Sequence, residues 1–262
     1  MGKRIAIVTG ATGGIGKEFT RLMRQEEVDE IWAIGRNKEK LASLIQEFGS
    51  KVVAMSKDLS DRTELSSIQE RLEAEQPIIA YLINNAGVAR MGSYQDFTAD
   101  EIEATIWINC SALAVLCTMC IPYMRSGSRI LNISSQASFQ PLPYLNLYGA
   151  TKVFERSYSR ALNTELEGTG ITSTAVCPGW VDTELLMKEV NGVKAKFPGL
   201  VTADRVAEQA LKDAKRGKDM SVCTWYVKGS HVMSKLLPQK LIMRMWKRKI
   251  KSYIMNTILA ER

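Results

Sequence analysis

A doubly wound α/β fold is what this sequence predicts, on two observations. β-branched runs of strand length recur at regular spacing, and amphipathic stretches of helical length separate them. The strand candidates are RIAIVT, EIWAIG, KVVAMS, IIAYLIN, SRILNIS and ITSTAVC, and the helical stretches fall at roughly 14–26, 37–48, 61–75, 99–125 and 147–168. Strands that alternate with helices pair in parallel and are covered on both faces, giving a sheet of about seven strands. No long Gly/Ser or Pro linker and no repeat interrupts this alternation. One domain is therefore expected over residues 1–234, followed by a basic amphipathic C-terminal helix over 235–262. The least regular segment, about 183–200, follows the sixth strand, where a lid over a site at the strand ends would lie.

Composition narrows the function classes. Hydrophobic residues make up 45% and charged residues 24%, ordinary for a globular chain. No apolar run approaches the ~20 residues of a spanning helix. The N-terminal MGKRIAIVTG passes straight into a strand, so a cytoplasmic location is expected. The five cysteines (Cys110, Cys117, Cys120, Cys177, Cys223) sit in apolar segments and read as reduced core residues. Cys117-Thr-Met-Cys120 has metal or redox spacing but no second pair or nearby His, and His231 has no partner, so no metal site is expected. From Lys235 onward there are eight basic residues and one acid, while the first 234 residues carry 27 of each sign. The net charge of +7 thus belongs to the tail, and nucleic-acid binding by the body is not expected.

The chemistry is concentrated in YGATK. Tyr148 and Lys152, four residues apart on a helix, share one face about a turn apart. A nearby cation favours the phenolate, and a hydroxyl beside the phenol can hold a carbonyl oxygen while the phenol protonates it. Ser135, 13 residues upstream, is that hydroxyl, with Ser134 and Ser138 as alternatives. Such acid–base work at an alcohol or ketone needs a hydride source. The first strand runs into TGATGGIG, whose Gly10, Gly14 and Gly16 allow a tight turn and close approach of a pyrophosphate to the next helix N-terminus. After the second strand stands Arg36, with no acid before Glu39, which predicts NADP(H) over NAD(H) because a guanidinium can pair with a 2′-phosphate.

With these motifs in order, the chain closely resembles the short-chain dehydrogenase/reductase family over about residues 4–225. The resemblance implies a Rossmann-type domain with a catalytic set of Asn109, Ser135, Tyr148 and Lys152. It also implies cofactor contacts from Gly10, Thr12, Gly14, Ile15, Gly16, Arg36, Asp58, Leu59, Asn85, Ala86 and Gly87. Tyr148 and Lys152 join these, with Pro178, Gly179, Val181 and Thr183. In this reading Tyr148 exchanges the proton, Lys152 assists it and bonds the nicotinamide ribose, Ser135 orients the carbonyl, and Asn109 holds a water leading to Lys152. A homodimer or homotetramer through the helices at 99–125 and 147–168 is implied by the family.

Substrate contacts are expected from Met91, Tyr144, Trp180, Leu185 and Leu186 beside Ser135 and Tyr148. Apolar residues of the lid segment suit a hydrophobic carbonyl or alcohol, such as a steroid, bile acid or acyl chain. The expected activity is that of a hydroxysteroid dehydrogenase, with a 3-oxoacyl thioester reductase and a non-catalytic NADP-sensing protein as alternatives. Leu236-Leu237-Pro238 and Phe154 resemble features of the branch acting on steroids and 3-ketoacyl thioesters. In the tail, Lys240, Arg244, Lys247, Arg248 and Lys251 share one helical face opposite Leu241, Ile242, Met245, Trp246, Ile250, Tyr253, Ile254 and Ile258. That face predicts either peripheral membrane contact or packing on protein.

Overall fold

Seven apolar runs become the strands β1 (Arg4–Thr9), β2 (Glu30–Gly35), β3 (Val52–Ser56), β4 (Ile78–Asn84), β5 (Arg129–Ile133), β6 (Thr172–Val176) and β7 (Met220–Ser221). They form one parallel sheet in the order β3-β2-β1-β4-β5-β6-β7. The structure is a computed structural model that describes residues 2–184, 186, 189–190, 193–194 and 197–258, excepting the side chains of 189–190, 193–194, 249 and 251–258.

Side chains alternate across the sheet with a period of two. Ala6, Val8, Ile31 and Ala33 enter one core, whereas Ile5, Ile7, Trp32 and Ile34 enter the other. Helices α1 (Gly14–Met23), α2 (Lys38–Phe48) and α7 (Ala203–Lys215) cover the first face with Phe19, Leu22, Leu44, Val206 and Ala210. Helices α3 (Arg62–Glu75), α5 (Ala112–Cys120) and α6 (Asn146–Glu165) cover the second with Leu65, Ile68, Leu116 and Leu162. Each fully buried Ile, Leu or Phe is worth about 1.5–3 kcal/mol of transfer free energy. Asn37 caps α2 by accepting from Lys40 N, and Asp61 caps α3 by accepting from Thr63 N, each worth about 1 kcal/mol.

The helix expected over 99–125 forms, but it is not α-helical throughout. α4 (Ala99–Ile106) passes through a π-helical turn, Trp107–Ser111, into α5, and a 3-10 turn closes it at Ile121–Tyr123. By length and composition Ala99–Tyr123 is long and apolar enough to cross a membrane, which corrects the expectation that no run reaches that length. Its charges are confined to the first turns, and its Ile108, Leu113, Leu116, Cys117 and Cys120 sit in the core against α3 and β4 residues. Buried cysteine thiols follow: burial pushes Cys117 up to about 12 and Cys110 up to about 11.

Beyond β6, Val181–Asp182 pairs in parallel with Val201–Thr202, bringing together the two ends of the segment 183–200, the expected lid. Within it Glu189–Val190 and Val193–Lys194 pair antiparallel, and Leu185 lies outside the described residues. The tail is not one helix either. α8 (Trp225–Leu236) ends at the extended Leu237, Pro238 cannot continue the helix, and α9 (Gln239–Ile258) begins anew. Ile242 and Ile250 are buried, Trp246 packs on Ala137, Leu142 and Leu145, and its indole N–H donates to the Pro143 carbonyl at 2.9 Å.

Candidate functional site

The sheet reverses its order between β1 and β4, and the crevice at that switch point opens at the strand ends. Here the glycine turn is shaped by a second segment. Asn85 Nδ2 donates to the carbonyls of Thr9 (3.2 Å) and Gly10 (3.1 Å), while Asn85 N and Ala86 N donate to Thr9 Oγ1 at 3.0 and 2.9 Å. Gly10 has φ +61°, and a Cβ on Gly16 would lie 2.1 Å from the Gly10 carbonyl oxygen. Only glycine fits that approach. α1 then starts at Gly14, after the N-cap Gly13, with no side-chain cap and no acid in its first turn, so its leading amides are left for an anion. Ile15 packs on the core beside it.

Of the other predicted cofactor residues, Thr12 and Thr183 pack on glycines at or beside this turn. Thr12 lies against Gly35 at the end of β2, where a Cβ would meet Thr12 Cγ2 at 3.1 Å. Thr183 lies against Gly14, whose Cβ would meet Thr183 Cγ2 at 2.8 Å. Arg36 is exposed just after β2. Burial alone would raise the Asp58 carboxyl, but two hydrogen bonds from Ser60 and the Arg36 cation hold it below the ordinary carboxylate range. Leu59 is buried and its carbonyl accepts the Trp107 indole N–H at 3.0 Å. Val181 belongs to the strand pair below the lid segment, and the Pro178 carbonyl accepts Gln136 N at 2.7 Å. A Cβ on Gly179 would lie 2.7 Å from Val227 Cγ2, so α8 pins that corner. A glycine turn in which Gly10 and Gly16 leave no room for a Cβ, with uncapped amides and a guanidinium after the next strand, fits a phosphorylated dinucleotide.

Behind the crevice stands α6, whose inward stripe carries Tyr148, Lys152, Glu155, Ser159 and Leu162 at helical spacing. Lys152 is 6% exposed; its Nζ donates to the Ile133 carbonyl at 2.9 Å and to Glu155 Oε1 at 2.8 Å, and lies 5.4 Å from the Tyr148 ring centroid. Burial pulls Lys152 down, but the Glu155 carboxylate and Tyr148 outweigh it, so the ammonium is held above the usual lysine value. The π turn presents Asn109, fully buried, to the same place. Its Oδ1 accepts Val88 N at 2.9 Å, and its Nδ2 donates to the Val88 carbonyl (2.9 Å) and to Thr151 Oγ1 (3.0 Å). A Cβ on Gly87 would stand 3.1 Å from Asn109 Oδ1 and 3.6 Å from Lys152 Nζ. π turns of this kind recur at functional sites.

The three serines are sorted by their bonds. Ser134 Oγ donates to the Lys152 carbonyl at 2.7 Å and Ser138 Oγ to the Ser135 carbonyl at 2.6 Å, so both hydroxyl protons are committed to backbone. Ser135 Oγ accepts Ala137 N at 3.1 Å, which leaves its own proton for a ligand. Beside it Met91, Tyr148 and Trp246 pack on Ala137, Leu142 and Leu145, an apolar wall. Tyr144, at φ +65°, accepts Gly92 N at 2.9 Å and ties this wall to the loop carrying Met91. Trp180 packs at a tilt on Phe197 (ring centroids 5.0 Å apart), and Leu186 N donates to the Thr183 carbonyl at 3.1 Å.

A family profile described as "short chain dehydrogenase" matches residues 4–194, most of the chain. The chain belongs to the short-chain dehydrogenase family. The NADP-dependent 3-hydroxy acid dehydrogenase YdfG of Escherichia coli is 32% identical to it over 227 residues, covering 85% of this chain and 88% of that one. The ketoacyl reductase HetN of a Nostoc species is 28% identical over 217 residues, covering 81% and 75%. A short-chain dehydrogenase from Sphingobium yanoikuyae, solved in complex with NADPH, superposes with a TM-score of 0.73 at 28% identity, covering 90% of this chain and 97% of that one.

Sequence reasoning missed Glu155 and Thr151. Thr151 is a neighbour of Lys152 in YGATK. Glu155 could have been found as an acid on the inward stripe three residues after Lys152, a spacing that places charges side by side.

Proposed function

We propose that this short-chain dehydrogenase interconverts a ketone and a secondary alcohol with NADP(H), on a hydrophobic substrate. The observation that carries the reading is the buried Lys152 ammonium beside the Tyr148 ring, next to a Ser135 hydroxyl with a proton to give. Gly10, Thr12, Gly14, Ile15 and Gly16 would hold the pyrophosphate, with Arg36 at the 2′-phosphate and Asp58 and Leu59 at the adenine. Asn85, Ala86, Gly87, Pro178, Gly179, Val181 and Thr183 would line the remaining cofactor contacts. The bound nicotinamide supplies or accepts the hydride. Ser135 donates to the substrate oxygen, Tyr148 protonates it in reduction and deprotonates it in oxidation, and Lys152 steadies the phenolate. Asn109 fixes the turn that faces Lys152.

The apolar wall of Met91, Leu142, Leu145 and Trp246, with Tyr144 and Trp180 nearby, supports a bulky apolar substrate, a hydroxysteroid first. A second reading, a 3-oxoacyl thioester reductase, is favoured by the relatives named for ketoacyl and 3-hydroxy acid substrates. Nicotinamide absorbance with ketosteroids, bile acids and acetoacetyl thioesters separates the two. Inertness towards all of them with tight NADPH binding would instead favour a sensor.

Two assembly features join the proposal for a cytoplasmic protein. Ile106, Val115, Val153 and Phe154 leave an exposed apolar strip on α4, α5 and α6, suited to a homo-oligomer through these helices. Leu236, Leu241 and Met245 remain exposed beside Lys240 and Arg244, although Ile242, Trp246 and Ile250 pack inward. This outer edge suits peripheral contact with an anionic membrane.

Tyr148→Phe is expected to lower kcat by about 10²–10⁴-fold while NADPH binding, read by fluorescence, stays nearly intact. Retention of more than about a hundredth of the rate would contradict general acid catalysis by Tyr148. Arg36→Asp should shift the ratio of kcat/KM values from NADPH towards NADH; an unchanged ratio removes Arg36 from cofactor selection. In analytical ultracentrifugation, Phe154→Glu should dissociate a dimer or tetramer, and anionic vesicles should carry the protein down unless Leu236 and Leu241 are both changed to Glu. A monomeric parent, or indifference to the vesicles, rejects the corresponding feature.

A further inference from the structure

Glu155 is a buried acid that the reaction as proposed does not use. It is 1% exposed, and its Oε1 accepts from Lys152 Nζ at 2.8 Å. Its second oxygen, Oε2, is buried with no hydrogen-bond partner among the described residues. A carboxylate oxygen left in that state costs stability, so a structural benefit alone explains it poorly.

The surroundings isolate the pair. From the π turn Cys110 faces it, and from the segment after β6 Cys177; burial pushes both thiols up to about 11, so they stay neutral. On α6 itself Tyr148 acts electrostatically on Lys152, and the Arg156 guanidinium is directed over the Phe139 ring, 5.3 Å from its centroid. Among the described residues, Lys152 is the cation that ion-pairs with Glu155. The Lys152 ammonium therefore stands between two acids of the same helix, Tyr148 one turn before it and Glu155 one turn after.

We propose that Glu155 is a positioning residue: it anchors the Lys152 ammonium from the side away from the crevice, and its negative charge moderates how strongly that ammonium draws the proton from Tyr148. This rests on the reading of Tyr148 as the proton-exchanging group. The sign follows from charge. Removing the carboxylate while Lys152 remains protonated leaves the full cation beside the phenol and favours the phenolate. Burial raises the Glu155 carboxyl to about 7, against the pull of Lys152. Above neutrality the group is therefore an anion, in the range where a phenol ionises.

The test is a spectroscopic pH titration of phenolate absorbance in the full-length protein without substrate. Each Glu155 background is measured with and without Tyr148→Phe, so that the difference isolates one phenol of the eight tyrosines. Glu155→Gln is expected to lower the Tyr148 midpoint by about one pH unit, a tenfold change in proton affinity. Glu155→Asp, which keeps the charge, should return it most of the way. The acid limb of the pH profile for alcohol oxidation should move in the same direction. An unchanged or raised midpoint in Glu155→Gln, or an Asp variant that behaves like the Gln variant, overturns the proposal. If E155Q fails to fold, Glu155→Ser, which leaves room for water at the ammonium, is read by the same outcomes. Because the titration needs neither substrate nor turnover, it is independent of the Tyr148→Phe kinetics: an active Y148F enzyme would reject the proton-exchange role alone.

Discussion

The clamp between the ends of β1 and β4 is the constraint on which the rest of the site depends. Thr9 Oγ1 receives two backbone N–H groups from Asn85 and Ala86, and Asn85 returns its side-chain amide to the Thr9 and Gly10 carbonyls. These bonds lie at the point where the order of successive strands across the parallel sheet reverses. They set how closely the glycine turn approaches the neighbouring segment, and Gly16 cannot carry a side chain for that reason. The same segment continues to Gly87, against Asn109 and Lys152. One short stretch of chain therefore fixes both the glycine turn and the back of the proposed reaction site.

A polar seam extends this control into the second core. Asn84 Nδ2 donates to Asn132 Oδ1 at 2.8 Å, Asn132 Nδ2 to Ser173 Oγ at 3.4 Å, and Ser173 Oγ meets Ser159 Oγ at 2.9 Å. The seam crosses β4, β5 and β6 and ends on the inward stripe of α6. Apolar packing tolerates small slips, but a buried chain of hydrogen bonds does so at the cost of unpaired groups. Its register fixes where β5 ends and where α6 stands. It therefore fixes Ile133, Ser134 and Ser135 on one side and Tyr148 and Lys152 on the other.

How much of this was readable in the sequence depended on whether a residue's role is local. The strands declared themselves by apolar runs, the glycine turn by its place between the first strand and helix, and Tyr148 with Lys152 by helical spacing. The 13-residue separation from Tyr148 already favoured Ser135 over Ser134 and Ser138, but the physical reason needed the fold: the bonds to the Lys152 and Ser135 carbonyls show that the other two hydroxyls are spent. Glu155 was hidden because a charge on a helix ordinarily marks a solvated face. The break at Trp107–Ser111 was hidden too, since an inserted residue in a helix leaves no compositional trace. In the tail, amphipathic spacing identified the apolar residues but could not divide them. Trp246 found a partner more than ninety positions earlier in the chain, the Pro143 carbonyl, and Ile242 is buried, whereas Leu241 and Met245 did not become buried.

The seat of Trp246 on the turn at Pro143 has a consequence for biogenesis. Every strand of the sheet precedes residue 225 in chain order, whereas the indole that completes the apolar wall beside Tyr148 arrives after all of them. During synthesis the nucleotide turn and the proton-exchanging face can be assembled while the wall is still open on one side. A ribosome-bound chain would thus acquire Ser135, Tyr148 and Lys152 before it acquires the last side of the apolar wall beside them.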